Sequence, residues 1–168
     1  MNVIQELHQF DDELRPVRPS ARHHWDGKGW VVDTQADADL RRQQQQQLCA
    51  KVDAAADATR KLLVGDPLRA MEHALAVTDA QSFKDQGFPK QAVPVSVAAW
   101  VTKGRTAKQA AEQILAKSTR AAEQLLTLRT LRLNAKAKIA AHISKGEMEQ
   151  AKVVSSAAIA AIEGVSVT

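Results

Sequence analysis

The sequence predicts a mainly α protein: an elongated helical bundle with one long helix, preceded by an extended N-terminal arm and a small tryptophan-bracketed β-hairpin. Three observations carry this. Residues 36–64 and 107–145 contain no Pro or Gly, and apolar residues recur in them at threes and fours. Two indoles bracket a glycine-bearing tetrapeptide in Trp25-Asp26-Gly27-Lys28-Gly29-Trp30. Pro16 and Pro19 interrupt the polar leader. The expected division is a docking arm with its hairpin over 1–33 and a helical bundle over 34–168.

In the leader, the two prolines remove backbone donors and bias their predecessors away from helix. Residues 1–10 read as an arm that becomes ordered on a partner, with a short helix placing Val3, Ile4, Leu7 and Phe10 on one side as the alternative. From Trp25 to Val32 a small hairpin is expected. Gly27 and Gly29 supply the conformational freedom of a tight turn, and Trp25, Trp30, Val31 and Val32 are good strand residues. The two indoles should then pack near each other, each N–H needing an acceptor. A small self-contained core is favoured there over a sugar or nucleotide site.

From Asp33 the period becomes helical, with Asp33 or Thr34 as the cap. The run Gln43–Gln47 lies inside this helix as a polar face, since Gln is a good helix former. Gly65 ends it. Asp66-Pro67 restarts a helix, an N-cap acid followed by Pro at the first helical position. Leu68, Met71, Ala74, Leu75 and Thr78 are its expected buried stripe, and its expected end is near Asp79. A loop follows over 80–95, pinned to the bundle by Phe83, Phe88 and Val93. A short helix over 96–101 closes at Gly104. Thr106 and Gln109 form a capping box for a helix reaching Lys145, with Asn134 as the place where it would break if it breaks. Two seams run along it. Ile114, Ser118, Ala121, Leu125, Leu128, Ala135 and Ile139 form one; Leu115, Ala122, Leu126, Leu133 and Ala140 form the other. Two seams imply two neighbours, which suits a bundle or an oligomer. A last helix over 147–162 buries Met148, Ala151, Val154, Ala158, Ile159 and Ile162.

Composition narrows the function class. The chain has 168 residues, 45% of them hydrophobic, but with three Trp, three Phe and no Tyr. Much of the apolar content is alanine, so helices must approach closely, against each other or against another chain. The single Cys49 excludes an intrachain disulfide framework and fits a reducing compartment. No apolar run approaches the roughly 20 residues of a membrane span, and the first residues lack the order of a signal peptide. A soluble protein made in the cytosol is the expectation. Charge is uneven. Residues 1–33 carry net −2, whereas 103–145 carry ten Lys or Arg against Glu112 and Glu123, net +8.

No catalytic, cofactor-binding or metal site is expected. The sequence has no nucleophile elbow, phosphate-cradling glycine loop or zinc-protease pattern. Cys49 reads as a small packed thiol. His23 and His24 are adjacent, so on a strand they point to opposite faces and do not chelate one ion. In the basic stretch Arg129, Arg132, Lys136 and Lys138 do not share a face, and aromatic residues scarcely interleave with them. Nucleic-acid binding is therefore not favoured. Arg129 and Arg132 sit near seam positions, where pairing with acids of a partner is at least as plausible.

Two stretches carry a resemblance. Trp25-Asp26-Gly27-Lys28-Gly29-Trp30, after its Pro-containing leader, resembles the small N-terminal element of tailed-bacteriophage tail-fibre and tail-fibre-assembly proteins. Residues 94–142 resemble a helical module of phage tail and tail-fibre-associated proteins. The matching pieces are Pro94-Val95, Trp100, Gly104-Arg105-Thr106, Ala110-Ala111, Ile114-Leu115 and the Leu/Arg-rich stretch from Leu125 to Lys138. Together they cover about a third of the chain. The resemblance implies a tail or baseplate structural component, or a fibre-assembly chaperone; the helical C-terminal half departs from the mixed, β-containing part of many such chaperones. It carries over no catalytic residue. On this reading the partners are other tail or fibre subunits and further copies of the chain, with no membrane. The location is the virion tail, after assembly in the host cytoplasm. The expected partner-binding residues are Phe10, Trp25, Trp30, Leu125, Leu128, Arg129, Arg132 and Ile139.

Overall fold

A computed structural model describes residues 7–10 and 12–165. The expected Val3 and Ile4 positions of the arm lie outside these residues. The protein is mainly helical, with small antiparallel hairpins before the helices. It divides into two compact units, residues 1–47 and 48–168. That border lies inside the first helix, so the opening turns of this helix group with the hairpins rather than with the bundle.

In the first unit, β1 (Leu7–Phe10) pairs with β2 (Glu13–Pro16), with Phe10 opposite Glu13 and Leu7 opposite Pro16. The described part of the leader is therefore extended, as expected, but it pairs with itself and forms a first hairpin that the sequence reading did not anticipate. Asp12 sits at φ 63°, a left-handed conformation that Asp tolerates better than most residues. β3 (His23–Trp25) pairs with β4 (Trp30–Val32), with Trp25 directly opposite Trp30. The turn between them is held by Asp26, whose Oδ1 accepts from Lys28 N and Gly29 N, both at 2.8 Å. Gly27 at φ 97° supplies the positive φ this turn requires. α1 (Thr34–Val64) follows at once. Asp33 caps it by accepting from Ala36 N at 2.9 Å.

The second unit holds the rest of α1 with α2 (Pro67–Asp85), α3 (Val95–Ala98), α4 (Ala107–Ser144) and α5 (Met148–Glu163). The caps of α2 and α4 are those the sequence indicates, whereas α3 opens after Pro94 and ends at Ala98, short of the expected 96–101. Asp66 accepts from Leu68 N, with Pro67 at the first helical position. Thr106 and Gln109 make the reciprocal capping box. α4 is one unbroken helix of 38 residues, about 57 Å at 1.5 Å per residue, and it passes through Asn134 without interruption.

Two small cores lie along α4. The first joins Ala80 and Phe83 of α2, Val97 of α3, and Ala110, Ala111 and Ile114 at the start of α4. The second joins Leu48, Val52 and Ala56 of α1, Leu128, Ala135, Ile139 and Ile143 of α4, and Ala151 and Ile162 of α5. Between them, residues 116–127 include no buried position. Ser155 Oγ in α5 donates to the Leu48 carbonyl at 3.4 Å across the second core.

Two expectations about α2 need correction. The helix does not stop near Asp79 but runs to Asp85, because nothing breaks it before Gly87 and because Ala80 and Phe83 continue its buried side. The stripe Leu68–Met71–Leu75 is not buried: these residues are 70%, 65% and 68% exposed. The side that packs on α4 instead carries Ala76, Val77, Ala80 and Phe83. Phe88 packs edge-to-face on Phe83 at 5.4 Å, with Lys108 5.3 Å over its ring. Phe83, Phe88 and Val93 thus pin this region as expected.

Candidate protein-contact surfaces

In the first unit the aromatic residues make a small core of their own. Trp30 is its centre, in edge-to-face contact with Phe10 at 5.2 Å and with Trp25 at 5.4 Å. Its indole N–H donates to the Pro16 carbonyl at 2.6 Å, the acceptor a half-buried indole needs. The Arg15 and Arg18 guanidinium groups lie 5.3 Å over Trp25 and 5.8 Å over Trp30. Arg18 also donates to the His23 and Ala21 carbonyls, tying the leader to β3. Phe10, Trp25 and Trp30 are all half-buried, so these rings hold the two hairpins together rather than stand free as anchors. The large apolar side chains this unit presents outward are Leu7, Leu14, Val17, Val31 and Val32, with Leu14 71% and Val32 49% exposed.

Two carboxylates organise this unit, Asp26 through backbone N–H groups and Asp37 through guanidinium groups. The N–H groups of Lys28 and then Gly29 hold the Asp26 carboxyl below its ordinary value. Arg22, by its hydrogen bond, and then Arg41 do the same for Asp37, at 2.7 and 2.8 Å. His23 and His24 are on β3 and do not converge; His23 Nδ1 shares a 2.9 Å hydrogen bond with Ser20 Oγ.

In the second unit, Arg132 and Lys136 of α4 converge on Asp53 of α1, at 3.2 and 2.6 Å. The acid for Arg132, expected from a partner, is thus supplied by the same chain. Sequence reasoning missed Asp53, although it follows the buried Val52 and stands one helical turn from Cys49 and from Asp57. Cys49 is partly buried, and burial pushes its thiol up, with Asp53 adding to the effect and Lys136 opposing it.

The remaining expected contact residues separate clearly. Leu128 and Ile139 are 1% and 0% exposed inside the chain's own core, so they are not available to another chain. Leu125 is half-buried and Arg129 is exposed. The second seam of α4 is open along its middle, with Leu126 63% and Leu133 43% exposed, whereas its Leu115 packs against the first core. Further apolar side chains are open at Leu62, the α2 stripe and Val95.

Other kinds of site are weakly represented. Among the described residues no group of three or more His, Cys, Asp or Glu could hold a metal ion. Among the described residues no helix is long and apolar enough to cross a membrane. A depression on α2 lined by Val77, Thr78, Gln81, Asp85 and Gln86 is open to solvent.

No protein-family model matches this chain, and no curated protein and no solved structure matches it either.

Proposed function

We propose that this chain is a structural component of a bacteriophage tail or baseplate, or of a tail-fibre attachment, and that it acts by protein–protein docking. The observation that carries the reading is the outward display of large apolar side chains by both units. Leu14 and Val32 stand on the hairpins, and Leu68, Met71, Leu75, Leu126 and Leu133 on the helices, each at least 43% exposed. Apolar stripes at helical spacing are what a subunit offers to its neighbours. The resemblance of Trp25–Trp30 and of residues 94–142 to tail-fibre-associated proteins supplies the kind of assembly. The particle is its location, reached after assembly in the host cytoplasm.

The aromatic cluster has a supporting part in this mechanism. Trp30 fixes the two hairpins, which then present Leu14, Val32 and the edges of two-stranded sheets to a neighbouring subunit. Backbone groups on such edges are ready to pair with a strand from another chain. The basic stretch is less suited to nucleic acid than its net charge suggests, because Asp53 already engages Arg132 and Lys136.

The test is incorporation. A tagged chain is supplied during phage growth, and purified particles are compared with free assembly intermediates. A structural role predicts the chain in the particles, and reduced incorporation of Leu14→Lys with unchanged far-UV helicity. Presence only on unassembled fibre subunits makes it a chaperone. Absence from both, with salt-dependent retention on DNA, makes it a nucleic-acid-binding regulator.

A further inference from the structure

We propose that the exposed stripe of α2, Leu68–Met71–Leu75, docks on the exposed seam of α4, Leu126 and Leu133, of a second copy of this chain, giving a two-fold dimer that makes this contact twice. The inference deepens the reading of the chain as an assembly subunit and rests on it.

The geometry of each helix sets the argument. Residues 68, 71 and 75 follow the spacing of one helix face, and the side of α2 that packs within the chain, with Ala76, Val77, Ala80 and Phe83, lies away from it. On α4, residues 126 and 133 are two turns apart on one line with Ala122 and Ala140. At 100° per residue that line lies roughly 140° from the buried line of Leu128, Ala135 and Ile139. Each helix therefore has one side satisfied within the chain and an apolar side that is not.

Charge selects the pairing. Residues 66–79 carry Asp66, Glu72 and Asp79 against Arg69, a net of −2 with His73 neutral. On α4 the exposed base beside the seam is Arg129, whereas Arg132 and Lys136 are held by Asp53 of the same chain. Pairing α2 with α2, or α4 with α4, sets like charge against like; pairing α2 with α4 sets opposite charges together. Glu72, beside the stripe, and Arg129, beside the seam, have no ion-pair partner among the described residues. Because one chain carries both halves, the self-complementary solution is a closed two-fold dimer. The contact runs from Leu68 to Leu75, about 10 Å of α2 at 1.5 Å per residue, and is made twice in the dimer.

Sedimentation equilibrium of the full chain tests this. The wild type is expected at twice its 18.3 kDa monomer mass. Leu68→Ser with Leu75→Ser should weaken association at least tenfold while the helical far-UV signal stays. Glu72→Lys alone and Arg129→Glu alone should each weaken it several-fold, and the two together should restore it. A wild type that stays monomeric at every concentration overturns the proposal. So does a dimer indifferent to the leucine changes, or a charge swap that fails to restore association. The two readings fail separately: a monomer that still enters particles removes this dimer and leaves the tail role, whereas a dimer found in no particle removes the tail role and leaves the dimer.

Discussion

Replacing Ile139 by Ala probes which seam of α4 the chain uses for itself. Ile139 is fully buried between α1 and α5, among Val52, Ala56, Ala135, Ala151 and Ile162. The change removes three carbons, about 2.4 kcal/mol of transfer free energy at ~0.8 kcal/mol per methylene. It vacates on the order of 80 Å³, and at about 24 cal/mol per Å³ an uncollapsed cavity adds up to ~2 kcal/mol. Collapse is limited because three of the neighbours are alanines, whose only side-chain carbon is fixed to the backbone. The expected loss is about 4 kcal/mol, a large part of the 5–15 kcal/mol of an ordinary domain. Leu126→Ala on the same helix should change stability by less than about 0.5 kcal/mol, since that side chain is 63% exposed and Ala is the better helix former. Urea unfolding followed at 222 nm, in protein dilute enough to be monomeric, measures both. With a slope near 2 kcal/mol/M, Ile139→Ala should lower the midpoint by about 2 M and Leu126→Ala by almost nothing. Equal losses at the two positions would refute the assignment of the buried seam.

Other perturbations have equally definite outcomes. Trp30→Ala should abolish the packing of both hairpins, seen as loss of near-UV aromatic dichroism, while the helical far-UV signal of residues 48–165 persists. Asp53→Ala leaves Arg132 and Lys136 side by side without their acid; these groups are about one-third exposed, so the cost should fall between the surface and buried limits, about 1–2 kcal/mol in urea unfolding. Asp26 is held below its ordinary value in the folded chain, so the support it gives the β3–β4 turn is present above about pH 4 and lost as pH falls through the folded value. Tryptophan fluorescence should report that loss, and Asp26→Asn, which keeps an acceptor oxygen, should flatten the profile. Cys49 should alkylate with iodoacetamide at neutral pH more slowly than a free peptide thiol, and at the peptide rate in urea.

Local chemistry was plainly written in the sequence. The Asp66-Pro67 start, the Thr106–Gln109 box and the Trp-bracketed turn each depend on residues a few positions apart, and each formed as read. The choice of buried face was less legible. α2 has apolar residues on more than one side, and the larger ones, Leu68, Met71 and Leu75, pointed to the wrong one. Alanine explains the reversal: Ala76 and Ala80 let α2 approach the Ala110–Ala111 pair of α4 closely, and Phe83 supplies the bulk from beyond the assumed end of the helix. On α4 both seams were visible, but spacing alone could not say which one the chain would cover. The β1–β2 hairpin is not legible in the sequence because Leu7–Phe10 and Glu13–Pro16 contain no β-branched residue; Phe10 holds it through Trp30, twenty residues away. At the contact surface, the sequence marked the aromatic residues but not their direction. The rings turn toward one another, and the smaller Leu14 and Val32 are left facing out.

Hydroxyl-radical footprinting of the dilute free chain and of the chain in purified phage particles bears most directly on the claim that other protein covers these apolar faces. Leu14, Met71 and Leu126, which are 71%, 65% and 63% exposed, should be labelled readily in the free chain and several-fold less in the particle, while buried Leu128 and Ile139 stay protected in both. Equal labelling of the three exposed residues in the two states would contradict it.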